Sequence, residues 1–496
     1  MVQLPSVVYI YINHGWANLN AGEPNVMSAP ANRLAAGILP DSVIRTPSAN
    51  AYLLTVTLSE ALTAEGVKGW LTDVTGLIDT LQGTFVGAQR AATVNVAFAA
   101  SFFQTSAGAP RFELTAAQIP VELATPPLLP ALSGVAPVTG DVLFYIMSIS
   151  EAAVAAFQSG LSATHGTAIV ADSLELGFQR ADGREQFGFR DGLRNIPIPQ
   201  RPEVVFLDPD RSPEEPAWAA GGSYVVYMKI QQNLEAMAAK SEAEQEQIIG
   251  RRKPDGSRLD LPPGTPIAQE GPFTGTACPV SAHIRKAGPR GELHDGTRIF
   301  RRGVPFEGLN PDGTQNAGLQ FVSYQRSLDE FAAIFGRWMT NSNFPELGAG
   351  NDALLATGVI TILKAGFFFS PPHDPRYIGA PIFDPPLPDP CTIGRVVVQK
   401  ELLGENGQPV LSELGGISFQ LLQAGQPIGE PFRTDSTGRA VSPPVPRSTL
   451  VVHEVSPPQG FQQAPDTEVN LTKARELVHV ANHVTPGPGP GPIYTG

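Results

Sequence analysis

Gly188-Phe189-Arg190-Asp191-Gly192, His283-Ile284-Arg285-Lys286-Ala287-Gly288-Pro289-Arg290 and Arg301-Arg302-Gly303-Val304-Pro305-Phe306 are three polar islands in the middle of the chain. The first sets a carboxylate between glycines, the second an imidazole among cations, and the third a pair of guanidinium groups ahead of a β-patterned run. Around them, short apolar segments alternate between a period of two and a period near 3.6, which reads as strand, helix, strand. Gly-rich nucleotide turns are missing from that rhythm. The expected class is therefore α+β, not a doubly wound parallel sheet.

Upstream of the islands, Tyr52–Leu58 reads as a strand, Thr63–Leu81 as a helix, and Ala92–Phe98 and Asp141–Ile149 as further strands. A helix is expected to start near Glu151, and a first unit to span 1–165, with residues 1 to about 50 mostly loop. The rhythm recurs in Ser223–Ile230 (strand), Asn233–Ile249 (helix), Leu319–Tyr324 (strand), Leu328–Trp338 (helix) and Gly366–Ser370 (strand), giving a second unit over 166–385. Proline-rich sequence from Pro371 to Pro390 marks a boundary. Beyond it, β-patterned runs at Arg395–Val398, Ile417–Leu422, Ser448–Val452 and Leu477–Val480 predict a small β-sandwich over 391–485, ahead of a Pro/Gly tail at 486–496.

Composition narrows the function classes. The 496 residues carry a net charge of -13, which argues against a nucleic-acid partner, since phosphate neutralisation needs a basic face. Two cysteines, Cys278 and Cys391, make no disulfide framework. The amino-terminal residues show no secretory signal pattern and no apolar run is long enough to cross a bilayer. The expectation is a protein without a membrane span, cytoplasmic by default.

The islands carry the chemistry. Haem iron takes an axial His, Cys or Tyr. Among eight histidines His283 is the strongest candidate, because Arg285, Lys286 and Arg290 beside it can pair with propionates. Cleaving a bound peroxide requires a proton relay and a cation for the departing oxygen. Asp191 suits the first role and Arg301 the second. Arg302 is expected to face solvent, although alternation alone leaves open which of the two points inward.

These blocks resemble the dye-decolourising peroxidase family from about Asp182 to Pro372. Its GxxDG motif is similar to Gly188–Gly192, its proximal-histidine block to Cys278–Arg290, its distal-arginine block to Arg301–Phe306, and its distal-face strand to Gly318-Leu319-Gln320-Phe321. The resemblance implies two ferredoxin-like domains of antiparallel sheet and helix. It further implies one haem b per chain on His283, Asp191 and Arg301 as catalytic groups, and Leu319 and Phe321 over the distal face. The activity implied is oxidation of haem by hydrogen peroxide to a ferryl state, reduced in turn by dyes, phenolics or other small organic donors. Trp338 and Tyr324 are candidate radical relays, each weighed against simple core packing. Homo-oligomerisation is left open. A haem or porphyrin carrier, or an adhesin-like binding protein, is the rival reading. Many relatives place a carboxylate before the late Phe-rich strand to accept the proximal imidazole proton; Gly366 stands there, with Asp352 in a separate block. The expectation from Gly366 is a weaker push on iron and a raised reduction potential.

The sandwich carries its own pattern: Lys400, Glu454 and Asn482 each sit at a strand end. With Val398-Gln399-Lys400, Thr434–Gly438 and His453–Phe461, residues 393–483 resemble collagen-adhesin B-type, prealbumin-like repeats of bacterial surface proteins. That resemblance implies a Lys400–Asn482 isopeptide crosslink assisted by Glu454, with an unknown partner for the sandwich. It also brings an extracellular or compartment-associated setting into play.

Overall fold

A computed structural model describes residues 49–164, 168–208, 211–291, 296–310, 312–384, 393–404, 407–409, 414–472 and 475–485. The expected loop over residues 1 to about 50 falls outside these except at its end, as do Cys391 and the Pro/Gly tail. The first unit runs β1 (Asn50–Leu58), α1 (Ala64–Gly83), β2 (Ala92–Ala99), β3 (Val142–Ser148), α2 (Glu151–Thr164), β4 (Ile169–Phe178). Thr63 caps α1, its hydroxyl accepting from the Gly66 N–H at 3.1 Å. Trp70, Leu71, Val74, Ile78 and Leu81 form the buried stripe of α1 and press it against the sheet. Each such side chain contributes about 1.5–3 kcal/mol on full burial.

The second unit repeats the layout. β5 (Ser223–Gln232) leads into two short helices, α3 (Leu234–Ala238) and α4 (Glu242–Ile249). The continuous helix expected over 233–249 is broken between them, because Ser241 starts a new one with a capping box to Glu244. Helix α5 (His283–Lys286) precedes β6 (Val304–Leu309), β7 (Gln315–Gln325) and α6 (Leu328–Ala332), which continues as a π-helix over Ala333–Met339. Helix α7 (Ala353–Ala356) and β8 (Ile360–Ser370) complete the unit.

Sheet order is β6-β7-β5-β8-β2-β3-β1-β4. Within each unit the strands thus run second, third, first, fourth, which is the ferredoxin-like order. The units join where Phe368 and Phe369 of β8 pair with Ala99 and Phe98 of β2. At the other seam the Gln320 side chain donates to the Leu176 carbonyl at 3.0 Å, and a Cβ on Gly177 would stand 3.0 Å from the Pro305 carbonyl. The two edge strands of the curled sheet thus approach one another, with no backbone ladder between them among the described residues. Pairing of β4 with β1 carries the first unit to Phe178, past the boundary expected at 165. Gly318 is required on β7, since a Cβ there would lie 2.0 Å from the Ile230 carbonyl.

Most of this sheet is buried on both faces, so strand residues divide by parity, whereas the edge strand β4 leaves Val170, Leu174 and Leu176 exposed. Leu54 and Val56 of β1 and Phe369 of β8 belong to the apolar layer under the helices. Leu53, Tyr145, Tyr227, Tyr324 and Phe368 fill the interior on the other side.

Strands β9 (Ile393–Leu403), β10 (Ser418–Gln423), β11 (Gln426–Arg433), β12 (Arg439–Val441), β13 (Val445–Pro446), β14 (Thr449–Glu454), β15 (Thr467–Asn470) and β16 (Arg475–His483) form two further sheets. These enclose a separate core containing Val396, Val398, Phe419, Leu421, Leu450, Val452, Val478 and Val480. Ionic contacts tie it to the second unit: Arg211 and, at 3.9 Å, Arg326 approach Asp435, while Arg439 pairs with Glu214.

Candidate active site

His283 is the first residue of α5, and its Nδ1 lies 2.9 Å from Oδ2 of Asp352. Asp352 is fully buried and caps α7, where Oδ1 accepts from the Leu354 N–H at 2.9 Å. Its own N–H donates to the Met339 carbonyl, and the next residue's to the Ser281 carbonyl, both at 2.8 Å. A carboxylate fixed by so many contacts makes Nδ1 the protonated nitrogen and leaves Nε2 with a lone pair for a metal. Asp352 is thus the acceptor that Gly366 cannot supply. A Cβ on Gly366 would stand 2.9 Å from both Val138 Cβ and a ring carbon of Phe368, and this position shares parity with Phe368, which packs in the sheet interior. The expected rise in reduction potential loses its basis.

Arg301 and Arg302 are separated by register. Arg301 is paired with Ser323, and directly paired residues project to one face, here the face of Phe321 and Leu319. Leu319 and Phe321 are half-buried, and the Phe321 ring sits 6.2 Å from Phe331 beneath α6. Arg302 points the other way. It is fully buried, the reverse of the solvent-facing role expected for it. Tyr324 shares that inner face, fully buried near Tyr145 and Arg302, and burial chiefly drives its hydroxyl pKa far up. Trp338 is buried in the helix layer and stacks on Phe344 at 5.5 Å. Neither aromatic reaches the surface.

Asp191 is exposed at the end of a hairpin. Its Oδ1 accepts from the Gly192 N–H at 2.6 Å, and its own N–H donates to the Gly183 carbonyl at 3.0 Å. Among the described residues it forms no ion pair with Arg301.

The cations beside His283 are less available than their spacing suggests. Lys286 is fully buried, and its ammonium donates to the carbonyls of Asn341, at 2.6 Å, and Phe344. Burial lowers it to about 8. Arg290 is enclosed against Glu270 at 3.4 Å and is lowered to about 10, chiefly by burial and then by Arg194. Arg285 donates to the Cys278 carbonyl at 2.9 Å and lies over the Phe273 ring. Lys286 is therefore a structural ammonium, not a propionate contact. Arg285 and Arg290 are committed to the loop around Phe273.

In the sandwich, Lys400, Glu454 and Asn482 meet in the core. Lys400 Nζ lies 2.9 Å from Glu454 Oε1, and Asn482 Nδ2 donates to Glu454 Oε2 at 2.7 Å. All three are buried, and burial is the main cause that lowers the Lys400 pKa. Each is the next inward position after two apolar residues: Val396 and Val398, Leu450 and Val452, Val478 and Val480.

Residues 182–375 match the family described as Dyp-type peroxidase, C-terminal. A dye-decolorizing peroxidase of Mycetinis scorodonius is 28% identical over 241 residues, 35% of this chain and 46% of its own. A deferrochelatase of Yersinia pseudotuberculosis is 35% identical over 159 residues, 30% of this chain and 36% of its own. The chain thus spans less than half the length of these curated relatives. The solved structure of DtpA from Streptomyces lividans, in an oxyferrous/water mixed complex, covers 70% of this chain and 96% of its own with TM-score 0.56 at 24% identity. Residues 182–375 are thus similar in sequence to the Dyp-type peroxidase C-terminal family, and the two sheet-and-helix units share the fold of the DtpA structure.

Proposed function

We propose that the chain is a haem peroxidase of the dye-decolourising type, reducing hydrogen peroxide and oxidising dyes, phenolics or similar one-electron donors. The observation that carries this is the His283–Asp352 pair, because a charge-assisted bond at Nδ1 both fixes the imidazole tautomer and makes Nε2 a stronger donor to iron. The donor set fits haem b, one per chain, with His283 as its ligand. Bound haem supplies the iron that accepts the oxidising equivalents of peroxide and hands them on one electron at a time.

The chain's residues do the rest. Asp352 holds the Nδ1 proton and orients the ring. Asp191, open to solvent on its hairpin, takes and returns a peroxide proton, while Arg301 offers a fixed cation to the departing oxygen. Leu319 and Phe321, on the Arg301 face of β7, exclude water. Haem-loaded protein is expected to give a histidine-ligated spectrum that changes on adding peroxide. His283→Ala should lose both features. A variant that keeps them assigns the iron to another ligand and rejects the reading.

We further propose that the sandwich is a prealbumin-like module closed by a Lys400–Asn482 isopeptide bond. Burial favours the neutral amine, whose nitrogen attacks the Asn482 side-chain carbonyl carbon. The Glu454 carboxylate takes the proton that the attacking amine sheds, and as the carbon–nitrogen bond of the amide breaks it passes that proton to the Asn482 nitrogen, to which it is already hydrogen-bonded, so that this nitrogen leaves as ammonia. Intact mass is expected to fall short of the sequence mass by one ammonia, and Glu454→Ala to restore it. Full mass in the unsubstituted protein excludes the bond.

A further inference from the structure

We infer that Glu185 is the positioning residue of the distal acid, holding closed the hairpin from which Asp191 projects. The inference rests on the role proposed for Asp191. The hairpin is closed by backbone bonds from Glu185 N–H to the Phe189 carbonyl at 3.0 Å, Gly188 N–H to the Glu185 carbonyl at 2.9 Å, and Asp191 N–H to the Gly183 carbonyl at 3.0 Å. Gly188 takes a positive φ of 88° to make the turn.

Backbone bonds alone leave the N–H groups of Phe187 and Phe189 without a partner inside the turn. The Glu185 side chain folds back to accept both, one on each oxygen, at 2.9 Å. Gln232, the last residue of β5, donates to the same carboxylate at 2.7 Å and pins the hairpin to the sheet. Phe187 and Phe189 are meanwhile buried in a small core with Met237, Ile248 and Val359, so those N–H groups have little access to water. From outside, Arg184 clamps the hairpin by donating to the carbonyls of Gly188 and Lys253, both at 2.7 Å. Burial is the main cause that raises the Glu185 pKa, with its three hydrogen bonds opposing and the Asp191 charge adding to the rise.

A glutamine cannot replace this carboxylate. Its single oxygen can accept from one of the two N–H groups, and its NH2 faces the other donor. Loosening the hairpin moves Asp191, and misplacement of a catalytic group by an ångström costs about 10²-fold in rate.

The test is a double-mutant cycle on haem-loaded full-length protein, reading the bimolecular rate with hydrogen peroxide. Glu185→Gln is expected to slow that rate about tenfold to a hundredfold, with haem stoichiometry unchanged. In an Asp191→Asn background the same substitution should cost less than about twofold. A pH series adds a readout that lost packing would not give. The ratio of wild-type to Glu185→Gln rates should fall toward one on acidification, as Glu185 protonates above the ordinary glutamate range. Should Glu185→Gln fail to fold, Gln232→Leu removes the sheet-side donor alone and is expected to show the same dependence on Asp191. Equal losses in both backgrounds, or no loss, overturn the inference while leaving the peroxidase reading intact. An Asp191→Asn protein as fast as wild type removes the distal-acid role and this inference with it.

Discussion

The contact between the His283 imidazole and the buried Asp352 carboxylate says more about this site than the cations that neighbour His283 in sequence. Asp352 lies 69 residues from His283 in sequence, and nothing in its local pattern, an aspartate ahead of Ala353-Leu354-Leu355, separates it from an ordinary helix cap. It is that cap as well, which is why the motif concealed its second task. The reading of Asp191 and Arg301 drew on short blocks whose residue types are chemically specific. Choosing between Arg301 and Arg302 required strand register. Asp352→Asn retains a capping oxygen but loses the negative charge on the Nδ1 proton. Loss of such an outer partner typically costs about 10–100-fold in metal affinity or activity. We expect a fall of that size in peroxide turnover with helix α7 intact, checked by steady-state rates beside circular dichroism. An unchanged rate would mean that the carboxylate only caps.

Among the elements, strands were more legible than helices. Most of their apolar runs are bounded by turn residues and buried on both faces, whereas β4, largely exposed and mixed in polarity, gave no such signal. The helix expected over 233–249 was misread because its polar face hides a fresh start at Ser241, and the segment after Leu328 tightens and widens through a π-helical turn that no periodicity reveals. The small core joining Phe187 and Phe189 to α3, α4 and the Leu354 turn brings the distal hairpin and the Asp352 cap together. Phe187→Ala is predicted to cost about 3–5 kcal/mol of stability, read by denaturant unfolding. A loss under about 1 kcal/mol would show that the hairpin does not depend on this packing.

For the whole molecule, the contact between sandwich and second unit is ionic and enclosed. Glu330 is fully buried beside Arg326 at 2.7 Å, with Asp435 and Arg211 facing it from the sandwich side and the 211 loop. Burial, ahead of the opposing Arg326, raises its pKa from 4.5 to about 7. An acid raised in the folded state binds its proton more tightly there than when unfolded. Its contribution is therefore fully present below about 4.5 and is lost as pH rises to about 7. We expect the thermal midpoint to decline across that window in the unsubstituted protein and to decline less in Glu330→Gln. Parallel profiles would exclude Glu330 as the source. None of this contact was legible beforehand, because its partners come from segments over a hundred residues apart whose charges look solvated in sequence.

The two seams of the curled sheet repeat one another: in each, the fourth strand of one unit meets the second strand of the other. Each repeat therefore offers its neighbour the same two borders that it receives. A chain holding a single repeat would find both borders answered by a twin of itself, so the symmetric dimer is the simplest assembly from which so long a curled sheet can be joined into one polypeptide.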